Sequence, residues 1–461
     1  MSHVEPSIFR TYDIRGIVDQ ALTEETVELI GKALGTELVR QQAKDIVLGR
    51  DGRLSGERFS KAITKGLVSV GVNVVDLGQV TTSMVYFAAE TLPNLNSCVV
   101  ITGSHNPPNY NGIKMVINGL TLYGEYIQAL LERIQQTDFV MSARLGQYSR
   151  YDIAVDYQQS IVEKIQLARP LKVVVDAGNG IAGAYAPAIL RRLGCEVIEL
   201  FCDVDGRFPN HHPDPAKLEN LKDLSQKVIE THADIGFAFD GDGDRCGVVD
   251  HQGGVLYPDR QMMLFARDIL NRQPGAEILY DIKCTALLPK VIHEAGGKPT
   301  MWKTGHSFMK AKMRESGAAL GGEVSGHMFF KERWYGFDDG IYTAARMLEI
   351  VAKQTLSTSE LFNQLPNAYN TPEIDIPFAE GEHYAFMKKI EAIAEFPEAK
   401  IFALDGIRAD FKDGWGLIRP SNTSPVIVLR FEGETPQALQ RIQQQFKTLM
   451  LKVDPTLSLP F

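Results

Sequence analysis

Three things are scarce in this chain. Cysteine is the first: Cys98, Cys195, Cys202, Cys246 and Cys284 are the only five in 461 residues. The count is odd and no two close pairs occur, so neither a disulfide framework nor a zinc site is indicated. Long apolar runs are the second. None approaches the roughly 18 residues that a membrane span requires, and the opening "MSHVEPSIFRTYDIRG" lacks a basic stretch followed by an apolar one, so no signal peptide is expected. Excess positive charge is the third. With 48 Lys and Arg against 57 Asp and Glu, the net charge is −9. That argues against a nonspecific nucleic-acid binder, which usually carries a basic surplus, and leaves room for a local basic pocket around a small anion. A reduced, cytoplasmic setting with no membrane and no nucleic-acid partner is expected.

What is present is an ordinary globular composition, 44% hydrophobic and 23% charged, long enough for about three or four domains. One pattern recurs three times: "KDIVLGRDGRLSGERFSKAITKGLVSVGVNVVDLG" near residue 44, "LKVVVDAGNGIAGAYAPAILRRLGCEVIELF" at 171 and "AEILYDIKCTALLPKVIHEAGGKPTMWKTG" at 276. Each reads as an apolar strand, a polar or glycine-rich turn, a helix-length stretch, a stop glycine (Gly71, Gly194, Gly296–Gly297) and a second strand. Such units predict α/β domains with mixed, mainly parallel sheets. The last hundred or so residues differ: short strands "GIRADF", "GWGLIRP" and "VIVLRFEG" lie between two helical stretches, an α+β module. The expected domains are 1–150, 151–252, 253–366 and 367–461.

The densest chemistry is "AFDGDGDRCG". Asp240, Asp242 and Asp244 alternate with glycine directly after the apolar strand "ADIGFAF". Ligands collect at that edge of α/β sheets, and crowded carboxylate oxygens suit a hard cation such as Mg²⁺ or Mn²⁺. An EF-hand is excluded, since its sixth loop position is Arg245 rather than glycine and its twelfth is His251 rather than glutamate. Three aspartates leave coordination positions for water or a substrate phosphate, which points to phosphoryl transfer.

Three other loops complete a set. In "CVVITGSHNPPNYNGIKM" a strand runs into Ser104, His105 and Asn106, two prolines force a rigid turn, and Lys114 brings back a cation. Ser104 is thereby placed as a nucleophile or phosphate carrier. "GGEVSGH" sets Glu323, Ser325 and His327 at alternating positions, suited to sugar hydroxyls. "RPSNTSP" offers Arg419, Ser421, Asn422 and Thr423 as an anion cradle. Read alone, each of these last two is as easily a plain polar turn. Gly178, Gly180 and Gly183 spell a dinucleotide fingerprint, with Glu199 about 20 residues on; turn-making glycines are the preferred reading.

The loops "TGSHNPP", "DGDGDR", "GEVSGH" and "RPSNTSP", preceded by "FRTYDIRG", resemble in order and spacing the motifs of the α-D-phosphohexomutases, and their forms are most similar to the bacterial phosphomannomutase/phosphoglucomutase branch. The resemblance runs from residue 9 to beyond 420. It implies three related α/β domains and a C-terminal α+β domain around a central active-site cleft. It implies that Ser104 is phosphorylated and that one Mg²⁺ is held by Asp240, Asp242, Asp244 and an oxygen on Ser104. The implied activity is reversible phosphoryl transfer between C1 and C6 of mannose and glucose phosphates, with glucose or mannose 1,6-bisphosphate as intermediate and activator. Arg15, Lys114, Arg245 and His306 would assist catalysis. Tyr12, His105, Lys283, Glu323, Ser325, His327, Arg419, Ser421, Asn422 and Thr423 would bind the substrate. A monomer acting on small hexose phosphates is expected.

Three alternatives stay open at this point. One is a phosphoglucosamine mutase. Another is a haloacid-dehalogenase-type phosphatase, with Asp240 phosphorylated and "FDDG" at 337–340 as its distal acidic pair. The last is a nucleotide-binding module built on Gly178–Gly183.

Overall fold

A computed structural model describes residues 4–379, 381–421 and 424–461. Its strands form four sheets. The first joins Asp45–Arg50, Asn73–Gln79, Cys98–Ile101 and Tyr148–Arg150 in parallel, with Tyr110–Ile117 antiparallel to Cys98–Ile101. The second joins Lys172–Asp176, Glu196–Leu200 and Ile235–Phe239 in parallel, with Cys246–Asp250 antiparallel to Ile235–Phe239. The third joins Glu277–Asp281, Lys298–Trp302 and Leu320–Gly322 in parallel, with Met328–Phe330 antiparallel to Leu320–Gly322. The repeat seen in the sequence is therefore a repeated topology: a parallel group whose last strand turns back through an antiparallel neighbour. The fourth sheet is antiparallel throughout, built on Gly414–Pro420 and Val426–Gly433.

This topology decides where the chemistry lies. The turn from the last parallel strand to its antiparallel neighbour is the Ser104 loop in the first unit, the Asp240–Asp244 loop in the second and the Glu323–His327 loop in the third. Three chemically different loops occupy one equivalent position, at the carboxyl edge where α/β sheets bind ligands.

The core explains how those edges converge. The helix Thr82–Thr91 is buried from Thr82 to Ala89 on every side, with Met84, Val85, Tyr86, Phe87 and Ala88 in the core. A helix with apolar residues all round its middle turns has to be covered all round. It joins the first sheet to a continuous core that includes Val175 and Phe237 of the second sheet and Ile278 and Phe330 of the third. The first unit keeps a further core on its other face, around Leu34, Ile63 and Leu67. The C-terminal module has a core of its own around Ile390, Leu429 and Phe446. It meets the third unit through Trp415 and Leu417 packed on Ile282. Arg408 reinforces that seam: it donates to the carbonyls of Ile282 (2.6 Å) and Cys284 (2.7 Å) and lies 3.9 Å over the Trp415 ring.

Candidate active site

The Ser104 loop is held from below by a residue the sequence reading did not single out. Arg53, fully buried, donates to the carbonyls of Ser104 (2.8 Å), Asn106 (2.6 Å), Pro107 (2.7 Å) and Tyr110 (2.9 Å). Asp51 balances its charge at 3.2 Å and accepts from Thr102 Oγ1 at 2.7 Å. The signal was available, since Asp51-Gly-Arg53 follows a strand directly. Ser104 takes a left-handed φ of 49°, a conformation a non-glycine residue holds only where its surroundings enforce it. The five backbone bonds to carbonyls and Thr102 Oγ1 around it supply that enforcement.

The acidic loop approaches directly above. Ser104 Oγ lies 3.1 Å from Asp240 Oδ2 and 3.2 Å from His105 Nδ1. Gly241 permits this closeness, because a Cβ there would collide with the Ser104 carbonyl oxygen. The dinucleotide-like glycines serve packing of the same kind. A side chain at Gly183 would strike the Cys202 backbone, and one at Gly180 would press on Gly241. They support the metal loop from the neighbouring turn.

Asp240, Asp242 and Asp244 are buried, with one oxygen of each within 4.8 Å of the others. Burial, then the like charges of Asp244 and Asp242, push the Asp240 carboxyl well above its ordinary value. The chain's own answer to this repulsion is Lys114, whose Nζ lies 2.7 Å from Asp242 Oδ2 and 2.6 Å from Asp244 Oδ2. Burial works against the ammonium, but the two carboxylates outweigh it and raise its pKa. Thr82 Oγ1, at the start of the buried helix, also donates to Asp242 Oδ2 at 2.5 Å. The other oxygens, Asp242 Oδ1 and Asp244 Oδ1, have no hydrogen-bond partner although they are buried. Orphaned carboxylate oxygens are costly. A hard divalent ion is the species this donor set fits.

Around these lies a cleft of about 660 Å³ lined by all four units. Tyr12, Arg15, Ser104, His105 and Lys114 face it from the first unit and Arg245 from the second. Lys283, His306, Glu323, Ser325 and His327 face it from the third, and Arg419 and Ser421 from the C-terminal module. Asn422 and Thr423 lie outside the described residues. The structure thus gathers every described residue expected at the site, with the three aspartates buried beneath the cleft floor.

Several of these side chains have resting partners. Arg15 pairs with Asp13 and Asn106. Tyr12 Oη donates to the Thr304 carbonyl at 2.8 Å. Glu323 accepts from the Gly305 amide (2.8 Å) and from Ser325 Oγ (3.0 Å). Lys283 Nζ sits 2.6 Å from Glu373 Oε1, and Arg419 Nε donates to Asp405 Oδ2 at 2.9 Å. Burial, then the nearby Lys310, hold His306 well below the usual imidazole range, so its ring is neutral at neutral pH. His105 is lowered likewise by burial, then by Arg245 and Arg15.

The "FDDG" aspartates divide: Asp338 comes beside Asp244 and His327, one ligand atom of each lying within 4.8 Å of the others, whereas Asp339 turns away from the metal loop. Asp339 caps the helix Gly340–Ala352 by accepting from the Tyr342 amide, and takes further bonds from Tyr157 Oη and Trp334 Nε1. Asp338 faces Lys310, His306 and His327.

Comparison with known proteins gives the class and then the family. Models of the phosphoglucomutase/phosphomannomutase alpha/beta/alpha domains I, II and III match residues 6–141, 155–253 and 257–369, and that of the C-terminal domain matches 373–449. A phosphomannomutase/phosphoglucomutase of Pseudomonas putida is 52% identical, with all of both chains covered. A phosphoglucomutase of Neisseria meningitidis serogroup A is 49% identical, again with all of both chains covered. A crystal structure of a phosphoglucomutase/phosphomannomutase family protein from Burkholderia thailandensis superposes with a TM-score of 0.94 at 50% identity over 100% of both chains. Fold and site together are those of a hexose-phosphate mutase, an isomerase. The chain belongs to the phosphoglucomutase/phosphomannomutase family.

Proposed function

We propose that the protein interconverts the 1- and 6-phosphates of glucose and of mannose, with Ser104 as the phosphate carrier. The observation that carries this reading is the placement of Ser104 Oγ, on a left-handed backbone, 3.1 Å from the buried aspartate loop. A hydroxyl used only for structure has no need of either feature. The relatives bearing both the dual name and the glucose-only name are nearly equally similar, at 52% and 49% identity, which supports activity on glucose phosphates at the least.

In this reading Asp240, Asp242 and Asp244 would hold one Mg²⁺, with an oxygen of phosphorylated Ser104 as a further ligand. Such an ion would supply positive charge to offset that of the transferring phosphoryl group. The sugar hydroxyl attacks phosphoserine; its new O–P bond forms as the Ser104 O–P bond breaks. Its proton passes to a base, and neutral His306 is suited to that role. Lys114, Arg15 and Arg245 balance charge around the reacting group. The resulting 1,6-bisphosphate turns over and returns its other phosphate to Ser104. Glu323 and Ser325 hold hydroxyls common to both poses, while Arg419, Ser421, Asn422 and Thr423 grip the phosphate that is not reacting. Tyr12, His105, Lys283 and His327 complete the wall. Lys283 leaves Glu373 to do so.

We place the domain limits at 1–150, 151–256, 257–366 and 367–461; the second limit moves from the expected 252 to 256 because Val255–Leu256 pairs with Cys246–Asp250. We also propose a cytoplasmic monomer. All five cysteines are free thiols and buried, which suits a reducing compartment.

A coupled assay on glucose, mannose and glucosamine 1-phosphates, with and without glucose 1,6-bisphosphate, tests the assignment. Turnover of the first two, stimulated by the bisphosphate, is expected. Glucosamine 1-phosphate as the preferred substrate, or net release of inorganic phosphate, would contradict it.

A further inference from the structure

The "FDDG" motif is left without a role by the reaction scheme, yet its first aspartate sits beside the cleft histidines. Asp338 is wholly buried. Its backbone is fixed by a bridge to Phe329 and by a 3.0 Å bond from Ser83 Oγ to its carbonyl. Its two oxygens face different partners. Oδ1 lies 3.1 Å from Lys310 Nζ, which in turn stacks 3.9 Å from the centre of the Tyr86 ring. Oδ2 lies 3.1 Å from His327 Nδ1 and 3.8 Å from His306 Nδ1. The two imidazoles are themselves stacked, with centroids 5.7 Å apart and planes 25° from parallel. His306 and Lys310 reach the same carboxylate because they are four residues apart on the helix His306–Ser316.

The far side of His327 fixes its proton. Arg245 Nε donates to His327 Nε2 at 3.0 Å. A guanidinium has no acceptor, so Nε2 carries the lone pair, and in the neutral ring the proton is on Nδ1. That nitrogen is turned toward Asp338 Oδ2 at 3.1 Å, with Asp244 Oδ1 further off at 3.6 Å. The contact is close but not aligned as a hydrogen bond, so it acts as a charge orienting an N–H dipole. The alternative tautomer would set two donors, Nε2–H and Arg245 Nε–H, against each other. Arg245 in turn has Nε 3.7 Å from Asp240 Oδ2. A continuous ordered series therefore runs from "FDDG" through His327 and Arg245 to the metal loop. On His306 the same oxygen faces Nδ1 and leaves the Nε2 edge for the cleft.

We propose that Asp338 is the positioning residue for both cleft histidines: it sets the His327 tautomer that Arg245 requires and turns His306 so that Nε2 serves the substrate, while Lys310 balances its charge. Orienting a ring through its second nitrogen is a general device for histidines at reactive sites. The grouping of Asp244, His327 and Asp338 is not needed as a second cation site, since Lys310 already supplies the cation and Arg245 occupies Nε2.

The proposal rests on the mutase reading, and its test separates the two. Because a lone Asp338 substitution would strand Lys310, the pair is exchanged together, as Asp338→Leu with Lys310→Met. Replacing a buried ion pair by apolar groups of similar size is often neutral for stability. A merely structural pair would therefore be fully replaced. The positioning role predicts that kcat for glucose 1-phosphate falls by about tenfold or more, with KM within about twofold, because only the orientation of the proton-handling groups is lost. Values of kcat and KM both within about twofold of the parent would overturn it. The second measurement needs no folded variant. ¹⁵N-histidine NMR of the unsubstituted Mg²⁺-loaded enzyme, with His327 assigned by His327→Gln, should show the Nδ1–H tautomer; an Nε2–H tautomer would overturn the proposal. Absence of mutase turnover in the parent enzyme would instead sink the functional reading itself.

Discussion

Ser104 Oγ and Asp240 Oδ2 lie 3.1 Å apart, although 136 residues separate them in the chain and they stand on different sheets. The contact joins two equivalent turns of two repeated units, one bearing the hydroxyl and the other the carboxylates. Removing the hydroxyl should leave both turns in place. Ser104→Ala is expected to lose mutase turnover by a factor of about 10³ or more, since the carrier of the covalent step is gone. Binding of glucose 1-phosphate by calorimetry should survive. Retained turnover without serine phosphate would remove Ser104 from the mechanism.

The orphaned oxygens of Asp242 and Asp244 make a metal prediction. Asp242→Asn removes a charge that pairs with Lys114 and that the proposed ion would share. The half-saturating Mg²⁺ concentration should rise by about tenfold or more, with kcat at saturation also lowered. An unchanged Mg²⁺ titration curve would show that the loop does not hold the ion.

Arg53 is a prediction about the loop beneath the chemistry. Four carbonyls and Asp51 depend on its guanidinium. Arg53→Met leaves Asp51 buried and alone, which typically costs about 3–5 kcal/mol. Chemical denaturation should show that loss, accompanied by a fall in kcat as the Ser104 backbone relaxes from its left-handed φ.

Arg408 tests the seam of the C-terminal module. It bonds two carbonyls of the third unit from a strand paired with the one that carries Arg419. Arg408→Met should weaken docking by about 1–3 kcal/mol. Steady-state kinetics should report it chiefly as a raised KM, because the phosphate grip is displaced while Ser104 and the aspartates stay in place.

Asp339 provides a pH prediction. Burial, opposed by bonds from the Tyr342 amide, Tyr157 and Trp334, raises its carboxyl from 3.8 to about 7. A raised folded-state pKa means that stability is full below pH 3.8, where both states are protonated, and is lost as pH rises toward about 7. Asp339→Asn cannot titrate. Its Tm relative to the parent should therefore increase between pH 4.5 and 7.5, by up to a few degrees. The constant cost of the amide cancels in that difference. A Tm difference that is flat or falls with pH would contradict the shift.

The sequence was most legible where chemistry is dense within a few residues. Asp240, Asp242 and Asp244 pointed to a cation because three crowded carboxylates after an apolar strand repel one another, and the structure brings their oxygens into one buried group that could hold a metal ion. The strand–turn–helix–strand repeat declared three α/β units. What stayed hidden depends on contacts between units. Arg53 reads as one more charge in a loop until its four carbonyl partners, 51 to 57 residues away, are folded over it. Lys310 looks like a solvent-facing helical lysine, because the aspartate it meets lies 28 residues on. The glycines Gly178, Gly180 and Gly183 matched a ligand-binding pattern, but Gly180 and Gly183 face neighbouring backbone and Gly178 faces His211 and Pro213, a distinction that only three-dimensional proximity makes. The Glu373 partner of Lys283 belongs to the C-terminal module and has no local signal at all.

The central claim is that a phosphate resides on Ser104 during turnover. Incubation with ³²P-labelled glucose 1,6-bisphosphate and Mg²⁺, followed by peptide mapping, measures it. The account predicts about one label per chain, stable to hydroxylamine, located on the peptide that contains Ser104 and chased by unlabelled glucose 1-phosphate. Label on the Asp240 peptide that hydroxylamine removes, or turnover with no label on protein, would contradict it.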